Sequence, residues 1–369
     1  MITSRRSHLP ACALLTALLA AAGTTRPAQA HHAPALCTSP RDPAVAARMS
    51  QDIAAALKGR EGTVSVAVHD PRSGLRCRLA DTRLYDSASI AKVLIMQAVL
   101  GRAEELGRAP TRLEAQRMKA MITRSDNTAA TDLWQGLSRA RLNRVLREAG
   151  AQDTVLGHDN YWGLTRTTAR DQLALLAAVS RRTEALTLMG QVVSSQAWGV
   201  TAGAPRTVKV HLKNGWLPRA THAWRVHSIG IVRGTGAGTG SATGSTTGTT
   251  GTTDTTGSAA ADYRLALLSH DNPTMRYGVR TLERIAVAVH RGLVGSAAAR
   301  GFTPGDRISE TPDGSAPHGE PGPLPPTPGG AWPGPRPQEW ATFPGAAPPS
   351  RTARARRRAP RRPRSRPSE

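Results

Sequence analysis

An α/β fold of the α+β kind is predicted by three stretches of patterning. Strand-like segments pair near residues 63–79, helical periodicity runs through 90–194, and strand character returns over 207–269. Before the first stretch, residues 43–58 place Val45, Met49, Ile53, Ala56 and Leu57 near one face, the signature of an amphipathic helix. Residues 63–69 then alternate Val64, Val66 and Val68 inward, as a strand does. Asp70-Pro71-Arg72-Ser73-Gly74 is turn chemistry and residues 75–79 return, so a hairpin is expected.

From residue 90 to 106 the spacing of Ile90, Val93, Leu94, Ala98 and Leu106 is helical and strongly apolar. This is a buried central helix with Ser89 at its start. Further helices are expected at about 112–122, 129–137, 139–149, 168–179 and 184–194, with Ser138 and Thr168 as N-caps. Strands follow at 207–212, 224–232 and 263–269, and a helix over 273–293 closes the domain. Two strands thus precede the helices and three follow them.

The ends and one internal stretch read differently. Residues 1–30 have the form of a secretory signal, with Arg5 and Arg6, an apolar run from Leu9 to Ala22, and an A-x-A cleavage site ending at Ala30. Cys12 lies too early in it to be a lipid attachment site, and no later stretch is apolar enough to span a membrane. Residues 234–261 are almost all Gly, Thr, Ser and Ala, a composition that cannot bury a core and suits a flexible insertion. Beyond residue 300 lie 17 of the 27 prolines, and the last 19 residues carry nine arginines against one acid. That is a disordered basic tail, leaving 31–300 as the folded domain. The net charge is +23, of which +15 falls on residues 31–300. Such a charge favours anionic surfaces such as cell-wall polymers, which the tail is placed to touch; no nucleic-acid partner is expected. Export leaves Cys37 and Cys77, and an oxidising compartment favours one disulfide over two unpaired thiols. Bridging closes a loop of about 40 residues, worth roughly 2–4 kcal/mol.

Three short motifs stand in order along this framework: Ser89-Ile90-Ala91-Lys92, Ser125-Asp126-Asn127 and Lys213-Asn214-Gly215. A serine hydroxyl is a weak nucleophile until a base takes its proton. Lys92, three residues on, shares a helix face with Ser89 and serves as base if burial and nearby positive charge favour its neutral form. Ser125 is placed to relay a proton to the leaving group, Asn127 to hold a substrate carbonyl, and Asp126 to fix its loop. Lys213, at the end of a strand, suits a substrate carboxylate. Gly215 permits close backbone approach, and the amides of Ser89 and Trp216 are candidate oxyanion donors. Only five lysines occur in the chain and two fall inside these motifs, which makes a chance match less credible. The 11 histidines show no metal-ligand spacing, so neither a metal nor any other cofactor is expected. Arg225 and His227 alternate along the following strand, where one of them lines the site or both are satisfied strand residues. No G-x-S-x-G elbow is present.

Over about residues 43–295 the sequence resembles the class A β-lactamase-like serine hydrolases, the penicillin-recognising S-x-x-K enzymes. Residues 121–129 look like that family's S-D-N segment, and 167–171 like the helix after its omega loop. Lys213 to Pro218 with Ser228-Ile229-Gly230 is similar to a secreted actinobacterial-type branch. The resemblance implies a five-stranded antiparallel sheet backed by terminal helices and facing an all-helical region, the β-lactamase/transpeptidase-like fold. It also implies an acyl-enzyme on Ser89 formed from β-lactam or peptidoglycan-stem-like amides, by a secreted, monomeric scaffold without cofactor. Two departures stand out. Class A enzymes carry an omega-loop Glu that activates the deacylating water, yet residues 151–166 hold only Asp153 and Asp159 as acids, with Asn160 near the vacant position. The Ser89-to-Ser125 spacing is also short. Slow deacylation is therefore expected, with a D,D-peptidase-like enzyme or a non-turnover penicillin- or wall-binding protein as alternatives.

Overall fold

The computed structural model describes residues 35–235 and 261–294. The signal at 1–30, all but the edges of the 234–261 insertion, and the 301–369 tail lie outside them. The chain begins with β1 (Cys37–Thr38), α1 (Pro43–Leu57), β2 (Thr63–Asp70), β3 (Leu75–Leu79) and β4 (Tyr85–Asp86). A 3-10 turn over Ala88–Ile90 leads into α2 (Ala91–Glu105), followed by α3 (Arg112–Thr123), α4 (Asn127–Gln135) and α5 (Arg139–Ala149). After β5 (Arg166–Thr167) come α6 (Ala169–Val179) and α7 (Thr183–Met189). The chain closes with β6 (Val208–Pro218), β7 (Trp224–Gly234), β8 (Asp262–Asn272) and α8 (Met275–Val294).

The sheet is antiparallel in the order β1-β3-β2-β8-β7-β6, six strands where five were expected. The extra strand is the two-residue β1, whose Cys37 sits opposite Cys77 of β3 and is bridged to it. Two residues carry no readable periodicity. The cross-link is what holds them in register, and it confirms the cysteine pairing.

Apolar side chains cover both sheet faces. Val66, Val68, Leu265 and Leu267 pack with Met49, Ile53, Leu282, Ile285 and Val289 of the two terminal helices. Their neighbours Ala67, Ala266 and Leu268 face the other way, into a core with Val93, Met96, Met121, Leu133 and Leu176 of the helical region. This period-two division follows from the strand pleat. Helix α2 is buried around nearly its whole circumference, Lys92 and Gln97 included. Such a helix belongs inside a domain, and here it runs down the middle of the helical region.

Most helix ends follow local chemistry. Thr111, Asp126, Ser138 and Thr168 each accept a backbone N–H at an N-cap, the last two as expected. Helix α7 stops at Met189 instead of continuing to 194, because Gly190 lies against Lys209 and His211 of β6. Strand β6 runs to Pro218, pairing with β7 throughout, so Lys213 to Trp216 lie in mid-strand, not at its end as the motif suggested. Gly234 N–H donates to Ala261 O at 2.8 Å, joining the two edges of the insertion at one point in the sheet.

Candidate active site

The short pair β4–β5 sets the approach to Ser89. Tyr85 lies opposite Thr167, and the Ser87 N–H donates to Thr165 O at 2.8 Å. Ala88 then adopts φ 46°, a left-handed conformation unusual for alanine, and the chain turns into the 3-10 segment that carries Ser89. Strain of this kind persists only where its surroundings enforce it. Ser89 and Lys92 are both fully buried, and Lys92 Nζ stands 2.7 Å from Ser89 Oγ.

Lys92 is the hub of the cluster. Its side-chain nitrogen also lies 3.0 Å from Ser125 Oγ, 2.8 Å from Ser125 O and 2.6 Å from Asn127 Oδ1. Ser125 takes φ 57°, which brings its carbonyl and its hydroxyl toward the same lysine. Asp126 accepts the Ala129 N–H at 2.8 Å and so fixes the loop, as expected of it. From the opposite side, Lys213 Nζ donates to Ser125 Oγ at 2.9 Å and to Asn214 O at 2.7 Å. Three sequence-distant motifs thus meet on one hydroxyl. Asn214 donates through Nδ2 to Gln196 O and Trp198 O, tying β6 to the segment before it.

Gly215 closes the site from the strand side. A Cβ there would lie 2.8 Å from Ser89 N and 2.9 Å from Ile90 N, so only glycine lets the edge of β6 reach the nucleophile turn. The amides of Ser89 and Trp216 are thereby on facing backbone segments. Trp216 itself is buried, edge-on to Trp198 at 5.9 Å between ring centroids.

The loop over 150–167 supplies no carboxylate to this cluster. Asp153 pairs with Arg170 at 2.5 Å, and Asp159 is exposed beside His158. Asn160 is exposed as well. The residue that reaches the site is Trp162, whose ring centroid is 4.7 Å from Lys92 Nζ and whose indole N–H donates to Thr131 Oγ1 at 3.1 Å. Sequence reading missed it, since a lone Trp in a loop carries no spacing signal.

Arg225 and His227 prove to be satisfied strand residues. His227 donates from Nε2 to Asp86 O at 2.9 Å and accepts the Ser269 N–H on Nδ1; burial pushes it down to about 4, so it is neutral at physiological pH. Arg225 pairs with Asp86 at 3.0 Å. Both brace the segment that leads to Ser89. Among the described residues no helix is long and apolar enough to cross a membrane.

Residues 108–239 match the model of a family described as the beta-lactamase enzyme family. No curated protein matches in sequence. Solved structures that resemble the chain include a class A beta-lactamase from Bacteroides cellulosilyticus, 16% identical, covering 70% of this chain and 100% of its own, with a TM-score of 0.55. A beta-lactamase from Xanthomonas campestris is 20% identical, covering 68% and 99%, with a TM-score of 0.52. A PBP-A variant, solved as an acyl-enzyme complex with penicillin G, is 17% identical, covering 66% and 95%, with a TM-score of 0.50. At these identities the likeness shows the fold.

Proposed function

We propose that the chain is a secreted, β-lactamase-like serine hydrolase that acylates Ser89 with β-lactam or D-Ala-type amides, a reading that the family match over residues 108–239 and the shared fold support. The observation that carries the reading is the hydrogen-bonded chain in which Lys92 Nζ joins Ser89, Ser125 and Asn127, and Ser125 Oγ in turn joins Lys213. Export of residues 31–369 after cleavage at Ala30, with the tail as a wall-polymer contact, belongs to the same proposal, and the Cys37–Cys77 bridge suits it.

In this mechanism Lys92, in its neutral form, takes the Ser89 proton as Oγ attacks the substrate carbonyl. Lys213, one hydroxyl away, disfavours a second full charge on Lys92. The amides of Ser89 and Trp216 hold the developing oxyanion. The proton then passes from Lys92 to Ser125, and from its hydroxyl to the departing nitrogen, while Asn127 orients the amide side chain and Lys213 the carboxylate. The C–N bond breaks and an ester on Ser89 remains. Its release requires an activated water, and the neighbouring loop offers the Trp162 ring instead of a carboxylate. Slow deacylation follows. A PBP-A variant of similar fold has been solved as an acyl-enzyme complex with penicillin G, which is in keeping with this reading.

Intact-mass spectrometry of the protein with penicillin G tests the reading. The expected result is a one-to-one adduct that persists over hours and is absent in Ser89→Ala. Rapid loss of the adduct with product release would make the chain an efficient lactamase. No adduct at high penicillin would overturn acylation for this substrate class.

A further inference from the structure

We propose that His222, His270 and Asp271 form a binding site for one zinc-class divalent cation, with water as fourth ligand. One ligand comes from the β6–β7 turn and two from the end of β8, 48 residues further along the chain. Each residue offers a donor atom, and the three lie within 4.8 Å of one another. His222 Nδ1 is 3.1 Å from Asp271 Oδ1, and His270 Nδ1 is 2.6 Å from Asp271 Oδ2. Around tetrahedral zinc, bonds of about 2.1 Å place neighbouring ligand atoms about 3.4 Å apart. The imidazole-to-carboxylate spacings are thus within an ångström of what the cation requires, and the exposed His222 is able to rotate to complete the set.

The surroundings fit a built site. The two backbones are joined where the Asp271 N–H donates to His222 O at 2.8 Å. His222, Ala223 and Asp271 hold φ of 61°, 43° and 60°, so the turn and the strand end meet in left-handed conformations on both sides. The His222 and His270 rings lie 4.3 Å apart between centroids. Thr63 Oγ1 donates to Asp271 Oδ2 at 3.1 Å, an outer-shell hydrogen bond of the kind that orients a ligating carboxylate. His270 is buried at its base, while His222 and Asp271 open to solvent and leave an entry path. The nearby cations, Arg219 and Arg225, both face Asp86, at 4.0 and 3.0 Å, which offsets their repulsion of a metal. An occupied site would pin the β6–β7 turn, whose Thr221 O already accepts from Arg225.

The test is a zinc titration of the purified protein by calorimetry, with thermal melting in parallel, on wild type, His222→Ala and Asp271→Asn. The wild type is expected to bind one more equivalent than His222→Ala, or to bind that equivalent at least about tenfold more tightly. Zinc should raise its melting temperature more than that of either variant. His31 and His32 near the chain start are common to all three proteins, so any binding there cancels in the comparison. Equal stoichiometry, affinity and melting response in the three proteins would overturn the site, as would no binding to the wild type. None of these readouts depends on acylation at Ser89.

Discussion

At Gly215 a single carbon atom would separate two elements that have to touch. Its Cβ would meet Ser89 N at 2.8 Å, Ile90 N at 2.9 Å and Ser87 O at 3.1 Å, and all three are backbone atoms that no rotamer change can clear. Gly215→Ala must therefore push β6 off the nucleophile turn and spread the two candidate oxyanion donors. Misplacement of this order costs about 10–100-fold in rate, so adduct formation with penicillin G should slow by that factor while the far-UV spectrum is unchanged. Acylation at the wild-type rate would remove the facing amides from the mechanism. At this scale the sequence shows reacting atoms well and their neighbours poorly. Ser89, Lys92, Ser125, Asn127 and Lys213 are joined by hydrogen bonds, although Lys213 lies in mid-strand and not at a strand end. Trp162 did not show, and neither did the pairing of His222 with His270 and Asp271, because both depend on which loops the fold brings together.

Elements were legible where their order is local. Helices α3 to α6 begin within two residues of expectation because each opens on a side-chain cap. By contrast, β1, β4 and β5 are two residues each, and partners across the sheet define them where no pattern does. Strand β6 outran its expected length for a similar reason, since pairing with β7 carries it through a Lys-Asn-Gly that reads as turn chemistry. The capping box of α3 gives a prediction at this scale. Glu114 accepts the Thr111 N–H at 2.7 Å and pairs with Arg108 and Arg102 at 2.8 and 2.6 Å. The Arg108 hydrogen bond, opposed by burial and helped by Thr111 and Arg102, holds its carboxyl well below the usual carboxylate range. A depressed acid contributes stability that is present above its unfolded value and fades as pH falls below it. Glu114→Gln should therefore cost about 1–3 kcal/mol at pH 7. Its deficit should shrink steadily below about pH 4.5, as urea unfolding across pH would show. A deficit that stays constant to pH 3 would mean the charge is not what matters.

Across the whole molecule, the site depends on layers that never touch it. Helix α8 packs behind the sheet, and from it Glu283 accepts the Gly199 N–H at 3.5 Å. Next along the chain, the Val200 N–H donates to Ser228 Oγ on β7 at 2.9 Å and Trp198 O receives Asn214 of β6. A buried acid at the back is in this way two residues' reach from the strand that bears Lys213. Burial, set against one long backbone hydrogen bond and the Arg280 charge, pushes the Glu283 carboxyl up to about 7. The sign is opposite to that of Glu114. An acid raised in the folded state binds its proton more tightly there, so the stability it contributes is complete below its unfolded value near 4.5 and is lost as pH rises through about 7. A shift of this size corresponds to at most about 3 kcal/mol, since each pH unit is worth about 1.4 kcal/mol. Glu283→Gln keeps the shape and stays neutral. It should match the wild type near about pH 4, exceed it by about 1–3 kcal/mol at about pH 8, and flatten the decline between them. The same parallel slopes in both proteins from pH 5 to 8 would show that Glu283 ionises freely in the fold, and that the rear layer carries no latent charge beneath the strand of the active site.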